Sequence, residues 1–247
     1  MGAGANQIGL SRLHIMDSVN DSLKRLQLSH IDLLYIHGVD PMTPLEETMC
    51  GLEDGVRSGK VRYIGISNHP VWMVMKANSY AEKMGWTKFV ASQNYYTIAG
   101  RDIERKIIPM ALSEGVSIMP WSQLAGGFPL GKYTRKNEIA GNSRRDSFDF
   151  PPINKEKAYD IIDLMAEIGD QHHVSVATVA LNWVMKQLGI TSTIIGAKTQ
   201  EQLNDNLKAV SLELTPDDMK RLNDASALAS EYPGWMINRQ LQGRWPE

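Results

Sequence analysis

A single cysteine, Cys50, stands among the 247 residues. No intrachain disulfide can form, and no cysteine-based zinc site can be built; what remains is a small core or interface residue in a reducing compartment. Long apolar runs are also missing. Gly, Asn, Lys or Ser interrupts every apolar stretch before it reaches the length needed to span a bilayer, and the opening MGAGANQIGLSRLH shows no positive region followed by an apolar one, so it does not read as a secretory signal. Nor is there an excess of charge of one sign. Acidic residues outnumber basic ones by 28 to 26, a formal net charge of -2, so no overall field draws the chain to nucleic acid or to an anionic membrane. The expectation is a soluble, cytoplasmic chain with neither as a partner. A glycine-rich dinucleotide fingerprint is lacking too. GAGANQ at positions 2–7 has a suitable composition but follows no strand, and no GxGxxG follows any strand expected below.

What is present is a repeating alternation of helical and strand-like segments, in a chain whose length suits one barrel-sized core. Ser11 can cap a helix in which Ile15, Val19, Leu23 and Leu26 recur at helical spacing, leaving Asp17, Lys24 and Arg25 outside. Ile31 to Ile36, IDLLYI, is a short apolar run suited to a strand buried on both faces. A helix over 44–58 then leads to strand 61–66, helix 70–84 to strand 88–92, and helix 101–114 to strand 116–120. This is the rhythm of parallel strands joined by return helices. A polar excursion over 124–153, with Gly126-Gly127, Gly131, Gly141-Asn142 and Pro151-Pro152, is long for an unstructured connection and reads as a functional loop. Helices over 155–172 and 175–188 precede a fifth strand at 193–195, and helices over 200–208 and 216–228 follow. The tail over 229–247 reads as irregular past Pro233, with Trp235 and Trp245 packed against the body.

Polar side chains gather at the carboxyl ends of these strands: His37, Ser67-Asn68, Gln93-Asn94, Trp121-Ser122, and Gly196 with Lys198. Each has an ordinary reading. His37 can be a satisfied core histidine, Ser67 and Asn68 a helix cap before Pro70, Gln93 and Asn94 a turn, and Trp121 plain packing. Their recurrence at every strand end favours a site, because such groups face one another across the top of a parallel barrel.

The stretches SVNDSLKRLQLSHIDLLYIH, GKVRYIGISN, SQNYY, PWSQLAGGFPLGKY and IIGAKTQEQLNDNL resemble the aldo-keto reductase family in content, order and spacing. The resemblance covers about residues 11–228. It implies an α/β fold of the (β/α)8 TIM-barrel type, with the last five βα units present in one domain over 1–247. It also implies NADP(H) as cofactor and a small aldehyde, ketone or sugar-like carbonyl as substrate. His37 then resembles the histidine that orients the carbonyl and assists proton transfer. Ser67, Asn68 and Gln93 resemble the holders of the nicotinamide carboxamide, and Trp121 the aromatic that stacks on its ring. Ser122, Leu124, Gly126 and Lys132 fall in the strap over the pyrophosphate, and Arg144 is a further phosphate contact from the long loop. Gly196, Lys198, Gln202, Asp205 and Asn206 resemble the adenosine end, although many NADP-preferring members have arginine where Gln202 stands. No metal is implied.

The family's aspartate, tyrosine and lysine, carried on its first three strands, have no counterpart in this sequence. Tyr35, Tyr95 and Tyr96 are nearby tyrosines without an assigned role. The expectation is therefore a partial barrel whose activity alone is left open: a fragment of a full enzyme or a product truncated at the wrong start, ahead of a piece that assembles with a complementing N-terminal segment or another subunit. The alternative is a non-catalytic cofactor-binding or regulatory protein.

Overall fold

The computed structural model describes residues 4, 6–125, 133–134, 137–138, 150–152, 154–242 and 244. Helix α1 (Arg12–Leu26) begins where the Ser11 hydroxyl accepts the His14 amide and ends at Gln27, whose φ of 56° is the left-handed turn that commonly closes a helix. Strand β1 (Ile31–Ile36), helix α2 (Leu45–Arg57), strand β2 (Val61–Ser67), helix α3 (Val71–Met84) and strand β3 (Phe89–Tyr95) follow. A 3-10 turn (Asp102–Arg105), helix α4 (Ile107–Glu114) and strand β4 (Ser117–Trp121) complete this part of the alternation. The strands lie in chain order in one sheet, β1-β2-β3-β4. The first two pairings are parallel, Tyr35 sits opposite Gly65, and the register shifts between Ile64 and Gly65.

The described residues divide into two compact units: Met1–Asn94 with Lys106–Met119, and Tyr95–Arg105 with Pro120–Glu247. In the first, Ile64 and Ile66 of β2 are fully buried, alternating with Gly65 and Ser67 on the opposite face. Helix α2 approaches α1 so closely that a Cβ at Gly51 would lie 2.9 Å from the Arg12 Cα. Glu53 of α2 accepts from Arg57 and from the Thr87 amide, both at 2.8 Å, tying α2 to the entry of β3. Only Ile36 of β1 is buried, whereas the apolar run predicts burial on both faces. The reason is position: β1 is the sheet's edge and has one strand neighbour.

The second unit holds a short antiparallel pair, β5 (Tyr133–Thr134) with β6 (Asn137–Glu138), inside the predicted long loop. Helices α5 (Lys155–His172), α6 (Val176–Met185), α7 (Gln200–Leu207), α8 (Pro216–Ala225) and α9 (Gly234–Leu241) supply the rest. Its core centres on Met165, Ile168, Val179, Trp183 and Leu222, each fully buried.

Two expectations change. Residues 193–195 form no strand; among the described residues the Ile194 amide donates to the Pro120 carbonyl of β4 at 3.0 Å. The sheet among the described residues thus has four strands rather than five, since β-branched residues favour a strand but a ladder needs partners. Past Pro233, Gly234–Leu241 is helical, not irregular. Trp235 packs on Tyr232, with ring centroids 5.9 Å apart, yet stays 45 % exposed. Trp245 lies outside the described residues.

Candidate functional site

In the first unit, the ends of β1, β2 and β3 are drawn together by one residue. Asn68 has a φ of 56°, a conformation that Asn tolerates better than most side chains. Its amide donates to the Gln93 carbonyl at 3.3 Å, and its Nδ2 donates to the His37 carbonyl at 3.1 Å and to the Ser67 Oγ at 2.9 Å. Four of the residues expected at this end, His37, Ser67, Asn68 and Gln93, are therefore neighbours. Their exposure differs: Ser67 is fully buried, Gln93 half-buried, and Asn68 and His37 exposed. His37 is thus not a satisfied core histidine. Among the described residues its imidazole forms no hydrogen bond or ion pair, which leaves both ring nitrogens available to a ligand.

Tyr35 lies on the sheet face that carries Gly65, whose absent side chain makes room for the ring, and its hydroxyl donates to the Met119 sulfur at 2.9 Å. Burial pushes its pKa up, which makes it a weaker acid than a free tyrosine. His69 was not anticipated from sequence. It is 5 % exposed, and its Nδ1 lies 2.8 Å from the Ser67 carbonyl. Its place directly after Ser67-Asn68 is the signal that would have singled it out.

In the second unit, Trp121 is half-buried between two aromatic neighbours. Tyr95 is tilted against it at 5.3 Å between centroids, and Phe150 is stacked at 6.0 Å with 14° between planes. One face of the indole is therefore already covered. Ser122 and Ala125 have φ values of 57° and 42°, so the turn past β4 holds two non-glycine residues in the left-handed region, with Leu124 half-buried between them. The buried Gln123 braces that turn by donating to the Pro120 carbonyl at 2.6 Å. Gly126, Lys132 and Arg144 lie outside the described residues.

The expected adenosine end also lies in this unit, around the start of α7. Thr199 caps the helix, Gln202 Oε1 accepts the Lys198 amide at 2.8 Å, and Asn206 Nδ2 donates to the Gly196 carbonyl at 3.4 Å. Asp205 faces elsewhere. It accepts from the Ser175 hydroxyl at 2.5 Å and pairs with Lys208 at 3.2 Å, while its carbonyl accepts from Thr178 at 3.1 Å. Asp205 thus joins α7 to α6, and Asn206 is 8 % exposed; both serve the local framework here. Gly196 and Lys198 are exposed, with open space where a Cβ on Gly196 would stand. A cavity of about 310 Å³ adjoins this end and is lined by Asn206 with Leu181, Met185, Ile190, Leu207 and Val210 among others.

A sequence profile of the Aldo/keto reductase family matches residues 1–227. The chain belongs to the aldo/keto reductase family. It is 40 % identical over 220 residues to a putative aryl-alcohol dehydrogenase of Schizosaccharomyces pombe, covering 89 % of this chain and 62 % of that protein. It is 34 % identical over 230 residues to the versiconal hemiacetal acetate reductase of Aspergillus parasiticus, covering 93 % and 66 % respectively. With the aryl-alcohol dehydrogenase [NADP(+)] of Phanerodontia chrysosporium it shares 34 % over 227 residues, covering 91 % and 58 %. The chain thus spans less than two thirds of the length of each of these relatives. No helix among the described residues is long and apolar enough to cross a membrane.

Proposed function

We propose that this aldo/keto reductase chain contributes the carbonyl-orienting histidine and nicotinamide-binding residues of an NADP(H)-dependent oxidoreductase that reduces an aldehyde or ketone. The carrying observation is the tie that Asn68 makes among His37, Ser67 and Gln93 at three strand ends. The donor set fits the cofactor. Asn68 and Gln93 have amide side chains of the kind that pair with a carboxamide, and Lys198 offers an exposed ammonium suited to a phosphate. Trp121 is an aromatic side chain of the kind that stacks on a flat ring. Gly126, Lys132 and Arg144 complete the proposal as phosphate contacts, with Ser122 and Leu124 in the turn after β4.

Bound NADPH is the hydride source in this reading. The protein's own part is to orient and to stabilise. The His37 imidazole donates one hydrogen bond to the carbonyl oxygen, and that bond strengthens as the oxygen gains negative charge. The names of the relatives favour an aromatic aldehyde or alcohol as substrate, and the Tyr95, Trp121 and Phe150 rings offer the matching chemistry.

The test is a titration of the 247-residue chain with NADPH, following the fluorescence of its six tryptophans, with NADH as comparator. Saturable quenching in the range of about 1–100 μM, weaker with NADH, is expected. A folded sample that shows none would sink the cofactor assignment. Adding an aromatic aldehyde to the NADPH-loaded chain and following absorbance then separates turnover from binding alone.

A further inference from the structure

Ser67, Asn68, His69 and Pro70 carry the chain from the end of β2 into α3. Within this turn His69 is buried, its Nδ1 is 2.8 Å from the Ser67 carbonyl, and its Nε2 is buried with no hydrogen-bond partner among the described residues. A carbonyl oxygen only accepts, so the proton sits on Nδ1 and Nε2 holds a lone pair. Burial, partly opposed by the Ser67 carbonyl, lowers the imidazole's pKa and keeps the ring neutral. An unpaired buried nitrogen is unfavourable for folding; a phenyl ring of similar size would remove that penalty and also the Nδ1 bond to the Ser67 carbonyl, two effects of opposite sign and similar size. Folding stability alone therefore gives little reason for a histidine here.

Peptide geometry supplies another. The Ser67 carbonyl and the Asn68 amide belong to one planar unit, so the ring that holds the carbonyl also fixes the direction of the amide. That amide points at the Gln93 carbonyl, and the left-handed φ of Asn68 leaves it few other conformations. We infer that His69 is a positioning residue, which locks the Ser67–Asn68 peptide plane and thereby aims the Asn68 carboxamide. The inference rests on the reading of Asn68 as a nicotinamide holder.

Two substitutions separate aiming from packing. His69→Phe keeps the ring volume and removes both nitrogens. His69→Asn keeps a donor at nearly the same place, because its Nδ2, like the imidazole Nδ1, is bonded to Cγ. The readouts are the NADPH dissociation constant, the melting temperature, and hydrogen exchange at the Asn68 amide. The expected result for His69→Phe is about fivefold weaker binding and faster Asn68 exchange, with a melting temperature close to that of the parent. His69→Asn should stay within about twofold of the parent in binding and should keep the amide protected. Unchanged binding and exchange in His69→Phe would overturn the inference. So would a large fall in melting temperature, or failure to fold, that His69→Asn does not repair, since the ring would then be a packing residue. If the parent chain binds no NADPH yet Asn68 exchange still rises in His69→Phe and not in His69→Asn, the positioning role stands and the cofactor reading falls.

Discussion

A methyl group at position 65 has nowhere to go. A Cβ on Gly65 would lie 2.5 Å from Cε1 and 2.6 Å from Cδ1 of Tyr35, its partner across the β1–β2 ladder. Alternation along IDLLYI left open which face receives Tyr35; the structure settles it, and the glycine facing that ring is the reason. Gly65→Ala should therefore displace the Tyr35 ring from Met119 and destabilise the fold by about 1–3 kcal/mol, the usual scale for overpacking. Adding Tyr35→Leu should recover part of that loss, since the second change removes the ring that the first one strikes. A denaturant-melt double-mutant cycle gives the coupling, and additive losses would mean that the two side chains do not share this space. His37 shows the other limit of residue-level reading. Its place at a strand end was visible in the sequence, but its exposure was not, because exposure depends on what neighbouring elements cover.

Among the elements, the connections are held by carboxylates, and these respond to acid. Asp40, in the connection between β1 and α2, accepts from the Thr43 hydroxyl at 2.6 Å, the Leu10 amide at 2.7 Å and the Met42 amide at 2.9 Å. It thus ties the approach to α1 to the turn before α2. These bonds, the Thr43 hydroxyl foremost, lower its pKa from 3.8 to about 2. At the start of α8, burial of Asp218 raises its pKa, but the Thr215 hydroxyl and His172 outweigh that, and the net shift is downward. A carboxylate whose folded pKa is depressed adds stability above its unfolded pKa and loses it as pH falls through the folded value. Both groups therefore stabilise at neutral pH, and Asp40 gives up its share between about pH 4 and pH 2. Asp40→Asn should lower the urea midpoint at pH 7 and should show a smaller further drop between pH 5 and pH 3 than the parent. An identical acid slope in the two proteins would remove Asp40 from the account. The Thr215–Asp218 capping box is of a kind that sequence can show, since Thr-Pro-Asp-Asp precedes the helical run. The Asp40 clamp is not, because its Leu10 partner lies thirty positions away and only the folded chain brings the two together.

At the scale of the whole molecule, the family and the alternation of helices and strands were readable because each element carries its own period and caps. The fifth strand and the irregular tail failed where the signal was not local. A strand exists only with a neighbour, and α9 buries no residue, so no core stripe marks it as a helix. Long-range polar ties were equally hidden, and an extended one lies in the second unit. Arg101 forks onto Glu104 at 2.8 and 2.9 Å, donates to the Ser226 hydroxyl at 2.7 Å and to the Asn223 carbonyl at 3.1 Å, and lies over the Trp183 ring at 5.1 Å. Glu104 also accepts the Tyr96 hydroxyl at 2.6 Å, and burial together with that carboxylate pushes the Tyr96 pKa up. Trp183 completes the ring of contacts by donating to Asn223 at 3.0 Å. One guanidinium thus links the segment before α4, the core tryptophan of α6 and the end of α8. Arg101→Ala leaves Glu104 without its cation and two acceptors without this donor and should destabilise by about 3 kcal/mol, near the lower end for breaking a buried ion pair because Glu104 keeps the Tyr96 hydroxyl and some access to water. Arg101→Lys should recover less than half of that, since a single ammonium cannot reproduce a planar fork that also lies over an aromatic face. Chemical denaturation with residue-resolved hydrogen exchange would test both, and the loss should be largest at amides of α6 and α8. Full recovery by lysine would mean that Arg101 acts as a charge alone, and the tie between α6 and α8 would then rest on Asn223 and Trp183.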